Sequence, residues 1–135
     1  MNAEEAQTKL PPKRILVVED GPDVAKAIRM VLAIGGGHKV ETVEDGALGL
    51  ARFEPGKYDL VITDLHLPKM RGTDLARAIK EQDPSQPIIL ITGYTHAINE
   101  NSEAMSFIDL LLVKPFSLEQ LQDALNQIFS APPAG

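Results

Sequence analysis

Side chains able to bind metal ions or phosphate follow four short apolar runs of the chain. They are Glu19 and Asp20 after ILVV, Asp64 after LVIT, Thr92 at the end of IILIT, and Lys114 after LLLV. Carboxylates are preferred ligands of Mg²⁺, whereas a hydroxyl and an ammonium can bind phosphate oxygens. Three like charges at one place would raise one another's pKa, and a divalent cation would relieve that cost. Alone, each residue could equally be a helix cap or a loop charge.

The apolar runs predict buried strands, because they are short and rich in β-branched residues. Together with one further run at 40–43, the predicted strands cover residues 15–18, 40–43, 60–63, 88–92 and 110–113. Their alternation with helical periodicity predicts an α/β fold: a doubly wound (βα)5 flavodoxin-like sandwich with a parallel five-stranded sheet in the order 2-1-3-4-5. Ligand sites in such folds lie at the carboxyl ends of the strands, where the reactive residues fall.

Helix signals fill the gaps between these strands. Pro22 suits a first helical residue, and the glycines at 35–37 end that helix. Asp45 opens a short second helix. The fourth gap, 94–106, is polar in its centre and predicts only a short helix. The last helix begins with a capping box at 117–120, and its apolar stripe is predicted to contain Leu118, Leu121, Leu125 and Ile128.

Length and composition predict one domain with two loose ends. The 135 residues divide into a flexible tail at 1–12, a folded domain at 13–130 and a second tail at 131–135. The net charge of -6 argues against a broad nucleic-acid surface, and the lack of cysteine excludes disulfide and thiolate–zinc scaffolds. The sequence shows neither a membrane-spanning run nor the apolar centre of a signal peptide, which predicts a cytoplasmic protein without membrane insertion.

Four motifs together resemble those of the response-regulator receiver family of two-component signalling. They are VVED at 17–20, ITDLHLPKMRG at 62–72, ITG at 91–93 and VKPF at 113–116, in the family's order and with compatible spacing. The resemblance spans about residues 14–129. It implies a phosphorylation switch that catalyses only its own phosphorylation and dephosphorylation, and not an ordinary enzyme.

The resemblance implies a Mg²⁺ site as the only cofactor site. Asp20 and Asp64 match direct ligands of the ion, Glu19 matches a ligand acting through water, and the backbone carbonyl of His66 matches the remaining protein ligand.

The phosphate chemistry is likewise implied by the resemblance. Asp64 matches the phosphoacceptor, whose carboxylate attacks a phosphoryl group in line to form an acyl phosphate. Thr92 matches the hydroxyl that binds the new phosphoryl oxygens, and Lys114 matches the cation that pairs with the phosphate. In the family the lysine is aimed by a cis peptide bond to the following proline, here Pro115.

The implied phosphoryl donor is a histidine kinase or a histidine phosphotransfer protein. The family's docking surface is the first helix and the loop after strand five. The outer side of the predicted first helix carries Lys26, Met30, Ala33 and Ile34, which suits a helix-bundle partner. The sequence ends soon after Phe129, so output is expected through an unknown downstream effector protein, from a monomer or weak dimer. A relay intermediate, a phosphate sink and a fragment of a longer protein remain open alternatives.

Several positions depart from the family pattern or invite a specific hypothesis. Leu111 stands where receivers usually have an aromatic residue, so phosphorylation could be read out differently. Phe107 stands where a glycine often ends the fourth helix, and we expect it to be a core residue. His66 and Tyr94 flank the path of the hydrolytic water, and their rings are hypothesised to lengthen the phosphate lifetime. Gly72 is expected to adopt a backbone angle that other residues resist.

Three other functions share parts of this pattern. A hydrolase of the haloacid dehalogenase type needs a second aspartate where this chain has His66, and it needs a cap insertion. A flavodoxin-like binder needs a glycine- and hydroxyl-rich phosphate loop, but the chain has the acidic sequence EDGP at 19–22. A pseudo-receiver would lack some of the reactive residues, although Leu111 leaves that alternative open. His38 and His96 are expected to be loop residues, and their spacing does not favour zinc.

Overall fold

The computed structural model describes residues 10–93 and 103–130. These residues contain five strands and four α-helices. The order is β1 (Arg14–Val18), α1 (Pro22–Met30), a π-helical turn (Val31–Gly35), β2 (Lys39–Val43), α2 (Gly46–Arg52), β3 (Leu60–Asp64), α3 (Gly72–Gln82), β4 (Ile88–Thr92), a 3-10 helix (Glu103–Phe107), β5 (Leu110–Val113) and α4 (Leu118–Ser130). Much of the predicted fourth helix lies outside the described residues, and the described end of that gap is the 3-10 helix.

The strands form one parallel sheet in the order β2-β1-β3-β4-β5. The predicted fold class and strand order are therefore confirmed. β1 pairs with both β2 and β3, so that Ile15 lies beside Val40 and Leu60. Every residue of β3 and β4 is buried, which explains why these strands are apolar on both faces.

Alternate residues of the strands pack into two apolar layers, one on each face of the sheet. Ile15 and Val17 of β1 belong to the layer covered by α1 and α4. Leu16 and Val18 belong to the layer covered by α2 and α3, against which Phe107 also packs as expected. The packing on both faces holds the carboxyl ends of the strands at one edge.

Side-chain caps begin two of the helices where the sequence predicts them. Asp45 Oδ1 accepts a hydrogen bond of 2.7 Å from the amide of Leu48 at the start of α2. At the start of α4, the amide of Ser117 donates to Gln120 Oε1 at 2.8 Å, and the amide of Gln120 donates to Ser117 Oγ at 3.0 Å. The predicted capping box is therefore confirmed.

Three features differ from the sequence prediction. Leu118 is 64% exposed, because it faces an open groove beside α1 instead of the sheet. The first helix ends in a π-helical turn, in which the amide of Gly36 donates to the carbonyl of Val31. His38 lies in a loop as expected, but it is buried, and its Nδ1 accepts a hydrogen bond of 2.9 Å from the amide of Lys13.

The predicted tails fall mostly outside the described residues and stay predictions. Leu10, near the end of the first of them, packs against the layer covered by α1 and α4. Within the described residues, no helix has the length and apolar character needed to cross a bilayer.

Candidate functional site

The carboxyl ends of three strands, β1, β3 and β5, bring charged side chains to one edge of the sheet. Glu19 and Asp20 follow β1 directly, Asp64 is the last residue of β3, and Lys114 follows β5. Parallel pairing sets this arrangement, because all of the strands run in the same direction and end together.

Three carboxylates form a compact cluster at this edge. One oxygen from each of Glu19, Asp20 and Asp64 lies within 4.8 Å of the others. Glu19 and Asp64 are buried, whereas Asp20 is exposed. The cluster therefore has one side open to solvent, from which an ion that keeps some of its water ligands could enter.

The ammonium of Lys114 contacts two of these carboxylates. It donates a hydrogen bond of 3.0 Å to Glu19 Oε1, and it lies 3.4 Å from Asp64 Oδ1. The peptide bond from Lys114 to Pro115 is cis, as the sequence resemblance implies. One cation thus faces two buried anions.

Burial and charge shift the pKa of both partners. Burial, and then the repulsion of Glu19, raise the pKa of the Asp64 carboxyl above its ordinary value, and Lys114 offsets part of that shift. Burial lowers the pKa of the Lys114 ammonium, but its interactions with Glu19 and Asp64 outweigh burial and leave that pKa raised. The lysine therefore stays protonated and the carboxylates still repel each other.

This donor set fits a hard divalent cation. All three side chains offer carboxylate oxygens, which suit Mg²⁺ or Ca²⁺ better than a soft metal. A single ammonium balances only part of the charge of three carboxylates, so a divalent ion at the open side would relieve the remaining repulsion.

A family model for the response regulator receiver domain matches residues 15–126. The chain belongs to this family. Members of the family are phosphoacceptor signalling domains rather than ordinary enzymes, and they interact with histidine kinases and with downstream effectors.

Curated relatives of this receiver domain include regulatory proteins from two bacteria. It is 31% identical over 110 residues to the transcriptional regulatory protein TrcR of Mycobacterium tuberculosis, covering 82% of this chain and 42% of TrcR. It is 33% identical over 120 residues to the response regulator ArlR of Staphylococcus aureus, covering 89% of this chain and 54% of ArlR. The chain thus spans about half the length of the curated relatives it matches.

Solved structures similar to this receiver domain include two that hold magnesium. The response regulator TrrA of Thermotoga maritima, in complex with Mg²⁺-BeF, is 32% identical with a TM-score of 0.77, over 87% of this chain and 99% of TrrA. The receiver domain of the sensor histidine kinase PA1611 of Pseudomonas aeruginosa has magnesium coordinated in its active site cleft. It is 27% identical with a TM-score of 0.79, over 90% of this chain and all of that chain.

The other predicted site residues occupy the same edge of the receiver domain. Thr92 is fully buried at the end of β4, and its carbonyl accepts a hydrogen bond of 2.8 Å from the amide of Lys114. His66 is exposed in the loop after β3. Tyr94 and His96 lie outside the described residues, so the hypothesis about the water path is not tested for Tyr94.

Gly72 approaches the end of β3 closely. A Cβ atom at Gly72 would lie 2.1 Å from the carbonyl oxygen of Asp64, and the amide of Gly72 donates to the carbonyl of Leu65 at 2.9 Å. The predicted reason for this glycine is wrong, because its φ is not positive. The positive φ in this loop belongs to Lys69, at 69°. The path of the loop that connects β3 to α3 in the folded domain reveals this close approach.

An apolar groove lies beside the charged cluster. It has a volume of about 550 Å³ and lies between α1 and the segment that follows β5. Its lining includes Val24, Ala27, Lys114, Phe116 and Leu118. Lys114 belongs to both the groove and the cluster, so the two sites adjoin each other at this side chain.

Proposed function

We propose that Asp64 accepts a phosphoryl group from a histidine kinase or a phosphotransfer protein and that the receiver domain then changes conformation to signal to a partner protein. The observation that carries the proposal is the cluster of Glu19, Asp20 and Asp64 oxygens within 4.8 Å of one another, with Lys114 3.4 Å from Asp64. We further propose that this exchange takes place in the cytoplasm, where ATP-dependent kinases act, and that the domain works as a monomer or weak dimer.

In the proposed transfer, an Asp64 carboxylate oxygen attacks the phosphorus in line. A P–O bond forms, and the P–N bond of a phosphohistidine or the P–O bond of an acyl phosphate breaks. The leaving group keeps the bonding electron pair: an imidazole leaving group carries or takes up one proton and departs neutral, whereas a carboxylate leaving group departs as the anion. The ammonium of Lys114, already beside Asp64 Oδ1, would then pair with a phosphoryl oxygen.

Glu19, Asp20, Asp64 and the backbone carbonyl of His66 would hold Mg²⁺. When bound, the ion supplies positive charge that offsets the charge of the phosphoryl oxygens. The chain's own contribution is to fix the ligands: Glu19 is held by its hydrogen bonds from Lys114 and from the amide of Gly21.

Thr92 is proposed to bind the transferred phosphoryl group through its hydroxyl. Binding there would favour one of two conformations of the domain, and this shift would be the signal. Leu111, partly buried in β5, has no aromatic ring to change orientation. Read-out in this chain is therefore expected to use other side chains of the same face.

The groove beside Lys114 is proposed to receive the helices of the phosphoryl donor. Its wall is almost wholly apolar, which suits a helix-bundle surface. Met30 and Ile34 extend the apolar surface along the first helix, with exposed fractions of 48% and 76%. A donor histidine seated here would face Asp64 across Lys114.

The decisive experiment is incubation with acetyl phosphate and Mg²⁺, followed by intact mass spectrometry. One added phosphoryl group is expected on the wild-type protein, and none with a chelator or in Asp64→Asn. Asp74→Asn is the matched control, because Asp74 is an exposed aspartate in the first turn of α3 and should leave labelling unchanged. Wild-type protein that stays unlabelled while a known receiver is labelled would instead favour the pseudo-receiver.

A further inference from the structure

The loop between β3 and α3, residues 65–71, carries the carbonyl of His66 that is proposed to bind the metal. Two backbone hydrogen bonds hold its beginning and end: the amide of Leu65 donates to Ile91 and the amide of Gly72 donates to Leu65, both at 2.9 Å. The middle of the loop is exposed at Pro68 and Lys69. Leu67 and Met70, on either side of this exposed part, are partly buried against the apolar layer covered by α2 and α3.

The exposed part of the loop is contacted by the first turn of α2. The amide of Gly46 donates to the carbonyl of Pro68 at 3.4 Å. Asp45, which caps α2 through Oδ1, has its other oxygen 3.7 Å from the ammonium of Lys69. A Cβ atom at Gly46 would lie 2.5 Å from the carbonyl oxygen of Met70. We call this set of interactions the α2–loop contact.

The backbone of Lys69 is held in a conformation that lysine rarely adopts. Its φ of 69° places it in the left-handed region, which is costly for a residue with a Cβ atom. Such strain persists only where surrounding interactions fix the chain, and it is concentrated at functional sites. Here Lys69 lies between the two residues of the loop, Pro68 and Met70, that touch Gly46.

We propose that the α2–loop contact positions the metal-binding loop, with Asp45 and Gly46 as positioning residues for the Mg²⁺ site. This inference rests on the proposed function, because it concerns the same ion. Neither residue touches the ion; they act by holding the loop whose His66 carbonyl completes the ligand set. Residues that orient metal ligands in this indirect way commonly change affinity strongly when replaced.

Gly46→Ala is the direct test, with Mg²⁺ affinity measured by isothermal titration calorimetry. The added methyl group must displace Met70, so the dissociation constant is expected to rise about tenfold. Gly49→Ala is the matched control: it lies in the same helix, and its Cβ would press on Val18, 2.9 Å away, instead of on the loop. Gly49→Ala should lower the melting temperature while leaving Mg²⁺ affinity near wild type. Equal affinity of Gly46→Ala and wild type would overturn the proposal.

A second pair of variants decides the matter if Gly46→Ala does not fold. Asp45→Ala and Asp45→Asn remove the same charge, but only asparagine can still cap α2. We expect Asp45→Ala to bind Mg²⁺ several-fold more weakly than Asp45→Asn, and identical affinities would refute the positioning role. Wild-type protein that fails to bind Mg²⁺ would overturn the proposed function together with this inference, whereas normal wild-type binding isolates the α2–loop contact.

Discussion

The ammonium of Lys114 lies 3.4 Å from Asp64 Oδ1, although β4 separates the strands to which the two residues are attached. The same ammonium donates to Glu19 Oε1, so it draws together the ends of β1, β3 and β5. Without a metal, it is the cation that partly offsets two buried carboxylates. With Mg²⁺ bound, the ion would share that task. The stability contributed by Lys114 should therefore depend on Mg²⁺.

We predict that Lys114→Met destabilises the metal-free domain by about 1–3 kcal/mol, the usual cost of losing a hydrogen bond to a charged group. Added Mg²⁺ should reduce this loss of stability, because the ion offsets the repulsion between Glu19 and Asp64 that the substitution leaves uncompensated. Urea unfolding of both proteins with and without Mg²⁺ measures the effect.

Lys80→Met is the control for that prediction. Lys80 forms an ion pair of 2.8 Å with Asp109 in a different part of the fold, away from the carboxylate cluster. Its loss of stability should be the same with and without Mg²⁺. If Mg²⁺ changed the effects of both variants equally, the special role of Lys114 at the cluster would be excluded.

Asp64→Asn is predicted to change the free energy of unfolding, relative to wild type, in opposite directions with and without Mg²⁺. In the metal-free domain it removes a buried charge that Glu19 repels, so the free energy of unfolding should rise. The wild-type protein gains about 2.7 kcal/mol from Mg²⁺ at a hundred times its dissociation constant, and the variant should gain much less. Thermal unfolding at several Mg²⁺ concentrations checks both halves. A variant that is less stable than wild type without metal would contradict this electrostatic interpretation.

The strand ends and the site could be predicted because they depend on local sequence and on a topological rule. The apolar runs before Glu19, Asp64 and Lys114 read directly as buried strands, and parallel pairing then brings their ends together. The capping box at Ser117 and Gln120 is also local, since both partners lie in one turn. Predictions of this kind need no knowledge of distances between remote residues.

Features that depend on packing between remote segments could not be predicted. The burial of His38 arises from its neighbours in space, including the amide of Lys13. The exposure of Leu118 depends on the groove that remains open between α1 and the segment after β5. The need for glycine at position 72 follows from the approach of Asp64, which no local pattern encodes. The resemblance to the receiver family predicted an unusual backbone angle at Gly72, whereas the fold requires that no side chain be present there.

Gly72→Ala is predicted to destabilise the domain and to disturb Asp64, the proposed phosphoacceptor. The new Cβ would lie 2.1 Å from the carbonyl oxygen of Asp64. Either the end of β3 or the start of α3 must therefore move. Overpacking of this kind costs about 1–3 kcal/mol. Gly35→Ala is the control, because its Cβ would meet only Gln122, at 3.8 Å. Chemical denaturation and acetyl phosphate labelling should show a clear loss for the first variant and little change for the second.

His38 should make stability depend on pH in the mildly acidic range. Burial, and then the charge of Lys13, lower the pKa of its imidazole below the ordinary value of 6.5. Its Nδ1 accepts a hydrogen bond from the amide of Lys13, and protonation of Nδ1 would break that bond. The unfolded chain therefore binds this proton more readily than the folded domain, so the stabilisation is complete above about pH 6.5 and is lost as the pH falls through the lowered pKa.

His38→Asn tests this prediction, because asparagine offers an acceptor oxygen near the position of Nδ1 but does not titrate. Urea unfolding at about pH 8 and about pH 5 should show a larger loss of stability on acidification in the wild-type protein than in the variant. The difference between the two proteins isolates His38, since all other titratable groups are shared. Parallel pH profiles would mean that the imidazole is already free to take up a proton in the folded domain, which the hydrogen bond from the amide of Lys13 to Nδ1 argues against.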